Sequence, residues 1–478
     1  MTTAGPDPHR WQALALVCVA FFMTVLDVSI VNVALPSIKN SLHVTDVTVQ
    51  WVLIAYTITF GGFLLLGGRA ADLLGRRRIF IVGVALFSAA SLVCGLASSI
   101  GVLIAARAVQ GLGAAIVSPA TLAIITTTFE EGAERNKALG IWGAMGGSGA
   151  AAGVLFGGIL TKYLGWEWIF FVNVPVGALV LALTRPLVRE SRAQGVRGFD
   201  LGGAVTVTGG LALLVYAISK APDDGWGTGR TIGELVGAAV LLSAFVGIEL
   251  RNRQPLVPFR IFRTKTLAGA NVAGFLLGAV IFANFFVLTL YVQQVLGYSP
   301  LKTGVTFLAT AGTVVVVAGI AQALVTRIGV RPVLTFGLAL VAGAMFWYAQ
   351  VPVQGSYASD LLPGYLMMGF GLAFSFIPVS IAALAGVEHH ESGLASGLLN
   401  TSQQIGGALG VAIASTVAFT HERTLLASGH SLPQALTSGF ALSFWVLGGL
   451  GVAGVLAALL LVRSSEVPLE AEGAVLAG

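Results

Sequence analysis

Long apolar runs constrain this chain more than any other feature. About fourteen stretches of roughly twenty mostly apolar residues follow one another, the length an α-helix needs to cross the hydrocarbon core of a bilayer. They centre near Phe22, Thr59, Ala89, Leu112, Ala150, Pro175, Thr208, Ala239, Ile281, Val314, Leu340, Gly371, Gly407 and Leu450. Charged residues make up only 10% of the chain and its mean hydropathy is +0.90. A soluble domain carries about a quarter of its residues as Asp, Glu, Lys and Arg, so this surface must face lipid. The 62 glycines suit helices that pack closely in a bilayer. The expected fold is all-α and integral to the membrane, with about fourteen transmembrane helices. The first run, from Trp11 to Pro36, is too long for the apolar region of a signal peptide and reads as an uncleaved span.

The basic residues fix an expected orientation. With the N-terminus inside, the segments on that side hold 19 of the 26 Lys and Arg residues, among them Arg76, Arg77 and Arg78. The opposite side holds Lys39, Lys162, Lys220, Arg230, Lys302 and Arg423, and Arg107 lies within a span. Both termini are therefore expected in the cytoplasm of a multi-pass plasma-membrane protein. The net charge of +5 is spread over short loops at the membrane surface, which argues against nucleic-acid binding. Cys18 and Cys94 lie inside apolar runs, where a disulfide or metal role has no support. His389 and His390 are adjacent, so they point apart on a helix and read as a solvated loop. No phosphate-cradling loop, metal-ligand pattern or clustered nucleophile is present, so neither a cofactor, an enzymatic activity nor ATP-driven pumping is expected.

The two ends of the chain echo each other. Gly67 to Arg78 follows the second run, and a weaker copy, Gln322 to Arg331, follows the tenth. The fourth and twelfth runs each carry Gly-x-Gly ahead of a proline, Pro119 and Pro378. Span n thus matches span n+8. The expected organisation is a six-helix half over 1–190, two inserted helices over 191–263, and a second six-helix half over 264–478. Two halves that rock about a central site are the requirement for alternating access.

Four motifs carry a family resemblance that covers nearly the whole chain. The loop Gly68-x-x-x-Asp72-x-x-Gly75-Arg76-Arg77 resembles the signature loop of the major facilitator superfamily. Leu26-Asp27-Val28 through Asn32 to Pro36, and Gly165-Trp166-Glu167-Trp168 through Asn173 to Pro175, resemble motifs of its fourteen-span drug:proton antiporter branch. Arg107 to Gly113 resembles that superfamily's arginine motif. In the fifth span, Gly149, Gly153, Gly157 and Gly158 match its close-packing glycines, while Val154 stands where these antiporters usually carry proline. The resemblance implies exchange of small amphipathic molecules for protons, with no protein partner. Export and uptake both remain open on this fold.

Individual residues sharpen the expectation. Asp27 is a lone carboxylate in an apolar helix, where an ionisable group is costly and usually functional. It can load and release a proton as its surroundings change, or be a structural group capped by Thr24. Arg107 stays charged and can bias that carboxyl. Gly68, Asp72, Gly75, Arg76 and Arg77 read as a conformational latch, with Asp72 reaching arginines across the cytoplasmic face or a neighbouring helix N-terminus. Asn32, Asn284, Asn400, Gln403 and Gln404 are neutral polar groups inside spans, suited to substrate contact or to helix–helix adhesion. Trp166 and Trp168 read as anchors at an interface.

Overall fold

The computed structural model describes residues 8–130, 133–192, 200–252, 255–385 and 392–463. Among the described residues, fourteen long helices carry the structure. The first six are α1 (Arg10–Leu42), α2 (Asp46–Leu74), α3 (Arg76–Gly95), α4 (Ile100–Thr128), α5 (Ala133–Tyr163) and α6 (Trp168–Leu187). Next come α7 (Leu201–Asp224), α8 (Gly229–Arg251), α9 (Lys265–Val295) and α10 (Pro300–Ile328). The last are α11 (Val330–Tyr348), α12 (Tyr357–Leu384), α13 (Ser392–Ala427) and α14 (Leu432–Leu461). Twelve are long and apolar enough to cross a membrane, and α5 and α13 are the two outside that set. The latter are the helices richest in Gly, Ser, Gln and Asn, and they pack chiefly on α1 and α10, and on α9, α14 and α2, respectively.

Helix packing follows the sequence echo. Against one another pack α1 and α5, α2 and α4, α3 and α4, α3 and α6, and α1 and α6. Each pair recurs eight helices later, as α9 with α13, α10 with α12, α11 with α12, α11 with α14, and α9 with α14. Two seams join these groups, α5 against α10 and α2 against α13. The α7 helix packs on α2 and α13, and α8 packs chiefly on α7 at the periphery.

Local chemistry explains several boundaries. Gly75, with φ +112°, supplies the left-handed turn between α2 and α3, and Ser99, Thr228 and Ser299 cap the starts of α4, α8 and α10. Pro36 does not end the first helix as the sequence suggested: α1 continues to Leu42. Neighbouring helices bury this turn, which lets a proline persist inside a membrane helix. His389 and His390 lie outside the described residues.

Two ends of the bundle can be told apart. The end where α1 meets α2, called here the Lys39 end, is tied across the seam. Gln293 and Gln294 sit in the final turn of α9, which widens to a π-helix over Tyr291–Val295. Gln293 Nε2 donates to Val33 O at 2.9 Å and Gln294 Nε2 donates to Asp46 Oδ1 at 2.8 Å. Ser415 donates to Gln50, Lys39 pairs with Asp46, and Arg423 pairs with Asp223. Lys39, Asp46, Gln293, Gln294 and Glu422 line a cavity of about 440 Å³ at this end. At the opposite, Arg76 end, Arg69 Nη1 donates to Pro255 O at 3.0 Å.

Candidate proton-coupling and substrate site

Asp27 and Arg107 meet. Both side chains have no solvent exposure, and Arg107 Nη1 donates to Asp27 Oδ2. Asp27 reaches this point from the middle of α1, flanked by the buried Leu26 and Ile30. Arg107 stands two turns into α4, one turn before Gln110, so both long polar side chains leave the same helix face.

The remaining partners were not singled out from the sequence. Gln110 Nε2 and Asn173 Nδ2 donate to Asp27 Oδ1 at 2.8 and 3.0 Å. Both amides also donate to Ser91 Oγ, at 3.2 and 3.1 Å, and Ser91 in turn donates to Phe170 O at 2.9 Å. Arg107 Nη1 donates to Gln110 Oε1 at 2.7 Å and its Nε donates to Val52 O at 3.0 Å. The guanidinium lies over the Tyr56 ring, with its central carbon 4.2 Å from the centroid. Cys94 borders the same cluster, its sulfur 3.6 Å from Gln110 Oε1. Five helices, α1, α2, α3, α4 and α6, thus converge on one buried ion pair. Thr24 is no cap for Asp27, because its hydroxyl donates to Phe21 O at 2.7 Å.

The asymmetry of the network is its chemical content. Arg107 keeps contacts to α2 and α4 that do not involve Asp27, whereas Asp27 is held by Arg107, Gln110 and Asn173 together. A proton placed on the carboxylate would remove the charge these donors serve. It would loosen α1 and leave Arg107 seated. Charge-assisted hydrogen bonds are roughly twice as strong as neutral ones, so the change is large.

The glycines of α5 divide into two faces. A Cβ at Gly149 would lie 3.2 Å from Val25, at Gly153 2.7 Å from Leu26 O, and at Gly157 2.7 Å from Ile30 O, all on α1. Gly158 instead approaches Pro300 and Leu301 across the seam, where Gly304 rests 2.6 Å from Val154 O by the same measure. Val154 is buried and lies inside an unbroken helix.

The loop after α2 departs from expectation. Asp72 does not reach across the bundle: Arg76 Nε and Nη2 donate to its Oδ1 at 3.1 and 2.8 Å, one turn away. The cross-helix partner is Glu190, after α6. Its Oε1 accepts Arg77 N at 3.1 Å, and its carboxylate lies 3.8 Å from Arg77 and 3.6 Å from Arg78. Gly75 is bare because a Cβ there would meet Glu190 Oε1 at 2.7 Å, and Gly68 sits against Pro119. In the sequence Glu190 stands alone among Arg185, Arg189 and Arg192, which was the available signal.

The neutral amides fall into two groups. Asn32 Oδ1, Asn284 Oδ1 and Gln404 Oε1 are buried and accept no hydrogen bond. Gln403 is spent on packing, its backbone and Cγ lying against Gly278 and Gly274 of α9. Asn400 is exposed and donates to Ser396 O on its own helix at 3.1 Å. Trp168 is partly exposed, consistent with a boundary position, but Trp166 is buried against Phe170. Among the described residues no cluster of three or more His, Cys, Asp and Glu can hold a metal ion.

A family model described as Major Facilitator Superfamily matches residues 17–411. The chain belongs to this superfamily. It is therefore a multi-pass membrane transporter and not an enzyme. The superfamily member is 41% identical over 438 residues to the puromycin resistance protein pur8 of Streptomyces alboniger, covering 91% of this chain and 87% of that one. It is 38% identical to the cephamycin export protein CmcT of Amycolatopsis lactamdurans, covering 85% and 84%. It is 33% identical to the tetracenomycin C resistance and export protein of Streptomyces glaucescens, covering 86% and 76%. Its fold is similar to that of the POT family transporter PepTSo, with a TM-score of 0.69, 15% identity and coverage of 95% and 98%.

Proposed function

We propose that this transporter exports small amphipathic compounds in exchange for protons, by alternating access between a 1–190 half and a 264–478 half. The relatives named for resistance or export support the direction. The observation that carries the coupling is the unexposed Asp27–Arg107 pair, sealed by Gln110 and Asn173. An ionised carboxylate at such a site is stable only while its donors are in place. Proton binding frees α1 from α4 and α6, and α1 lies along the glycine face of the seam helix α5. Movement of α1 is thereby transmitted to the seam with α10.

Asn32, Asn284 and Gln404 offer three buried acceptors without partners. Each unsatisfied group costs about 1–3 kcal/mol, which a substrate carrying N–H or O–H donors would recover. Gly68, Asp72, Gly75, Arg76 and Arg77, with Glu190, hold α2, α3 and the end of α6 as one piece and serve as the latch at the cytoplasmic end. In this reading all fourteen long helices span the membrane, both termini lie in the cytoplasm, and the Lys39 end faces outward and is closed. The deciding experiment is transport in sealed vesicles under an imposed pH gradient, with puromycin-like and β-lactam compounds as probes. Compound-dependent proton movement against compound accumulation supports the reading. Compound flux indifferent to the gradient overturns it.

A further inference from the structure

The most informative unused group is Glu249, near the end of α8. Its side chain is 3% exposed although α8 is otherwise the most peripheral helix. Its Oε2 accepts the Val257 amide at 2.9 Å, while its Oε1 is buried with no partner of its own. That orphan oxygen points at Asp200, the residue that caps α7 and is 4% exposed. The place a Cβ would occupy on Gly203 lies 2.6 Å from Glu249 Oε1 and 3.1 Å from Asp200 Oδ1. The two carboxyl groups therefore meet over a Cα that carries no side chain. Asp200 already accepts the Gly203 amide at 2.7 Å and Asn252 Nδ2 at 2.6 Å.

Two carboxyl groups in contact cannot both be ionised; a hydrogen bond between them needs a proton. From the elements packed around Glu249, α7 contributes Asp200, and the 255–258 segment contributes the amides of Leu256 and Val257. On its own helix Arg251 is exposed, and neither carboxyl has an ion-pair partner among the described residues. We propose that Asp200 and Glu249 share one proton and form a second protonation site. It binds the α7–α8 pair to the segment leading into α9 and releases that segment as pH rises. The segment also accepts Arg69 of α2 at Pro255 O, so the site acts on the tether between inserted helices and bundle. The sign follows from charge. At low pH the bridged pair is singly negative and holds Val257. Loss of the proton sets two carboxylates against each other, and Glu249 withdraws.

Hydrogen exchange of the full-length protein in lipid nanodiscs tests this without any transport readout. Glu249→Gln keeps the acceptor for Val257 and gives Asp200 a permanent N–H donor. Comparing the unaltered protein with this variant at each pH cancels the intrinsic pH dependence of exchange. Peptides covering 255–263 should match the variant at low pH. Toward alkaline pH they should exchange up to about tenfold faster per pH unit than the variant, the slope of one proton. Asp200→Asn should likewise abolish the excess, since its amide satisfies Glu249 Oε1 without a proton. An exchange ratio that stays flat with pH overturns the proposal, as does an Asp200→Asn protein that keeps the full pH-dependent excess.

Discussion

Asp27 has both carboxylate oxygens occupied, by one guanidinium and two amides that come from two different helices, α4 and α6. Replacing it with Asn keeps the shape and removes the carboxylate that faces Arg107. Gradient-driven transport by Asp27→Asn should fall to background, while substrate binding to the purified protein stays within a few-fold of the original. Full activity under a pH gradient would exclude Asp27 as the carrier. Removing the guanidinium instead takes away the charge that favours an ionised carboxyl, so transport by Arg107→Ala should have its pH optimum shifted upward. Breaking a buried pair costs about 3–5 kcal/mol, so this variant should also show a lower melting temperature. An unchanged pH profile in a folded Arg107→Ala protein would uncouple the two residues. Asp27 and Arg107 were legible in the sequence because ionisable groups inside apolar runs are rare enough to stand out. Gln110 and Asn173 lie inside the motifs that carry the family resemblance and Ser91 does not, but the part of all three in the cluster was not legible, since neutral polar residues occur in membrane helices for packing alone. Their role depends on three helices converging, which no local pattern encodes.

At the scale of helices, apolar runs gave position and packing gave length. All fourteen runs correspond to long helices, those near Thr59 and Thr208 among them. What the runs hid is how far helices extend once neighbours satisfy them: α1 passes through Pro36, and α9 ends in a π-turn that aims Gln293 and Gln294 at the opposite group of helices. The glycines of α5 were legible as close-packing residues, but their division between α1 and α10 depends on which helix lies on each side. That division makes a prediction with an internal control. Gly153→Leu forces a side chain against Leu26 O and Ser29, one residue from Asp27, whereas Gly143 on the same helix has nothing within 4 Å of its would-be Cβ. Overpacking costs about 1–3 kcal/mol, so Gly153→Leu should lower thermal stability and abolish transport. Gly143→Leu should match the unaltered protein in both. Equal behaviour of the two variants would remove the α1–α5 contact from the mechanism.

For the whole molecule, orientation and conformation are separate questions with separate tests. In the proposed orientation the excess of basic residues at the Arg76 end faces the cytoplasm. Gly227, in the turn between α7 and α8, is exposed with open space around it, and both native cysteines are buried. A Gly227→Cys protein should therefore react with an impermeant maleimide in intact cells, and a lack of reaction would reverse the Lys39 end. Conformation rests on the ties at that end. Gln294 reaches Asp46 and Gln293 reaches Val33, so α9 is fastened to α1 and α2 where an outward-open state must part them. These bonds are few and polar, and a typical hydrogen bond contributes about 0.5–1.5 kcal/mol net, a strength that rocking can break on every cycle. Cysteines at positions 46 and 294, joined by a short thiol-reactive linker, make the tie permanent. The linked Asp46→Cys/Gln294→Cys protein should bind substrate from the cytoplasmic side but complete no transport cycle, and reduction of a cleavable linker should restore flux. The single-cysteine variants should lose little, because each removes one replaceable bond. Undiminished transport by the fully linked protein would show that α9 and α2 need not separate, and the closure seen at the Lys39 end would then have no part in the cycle.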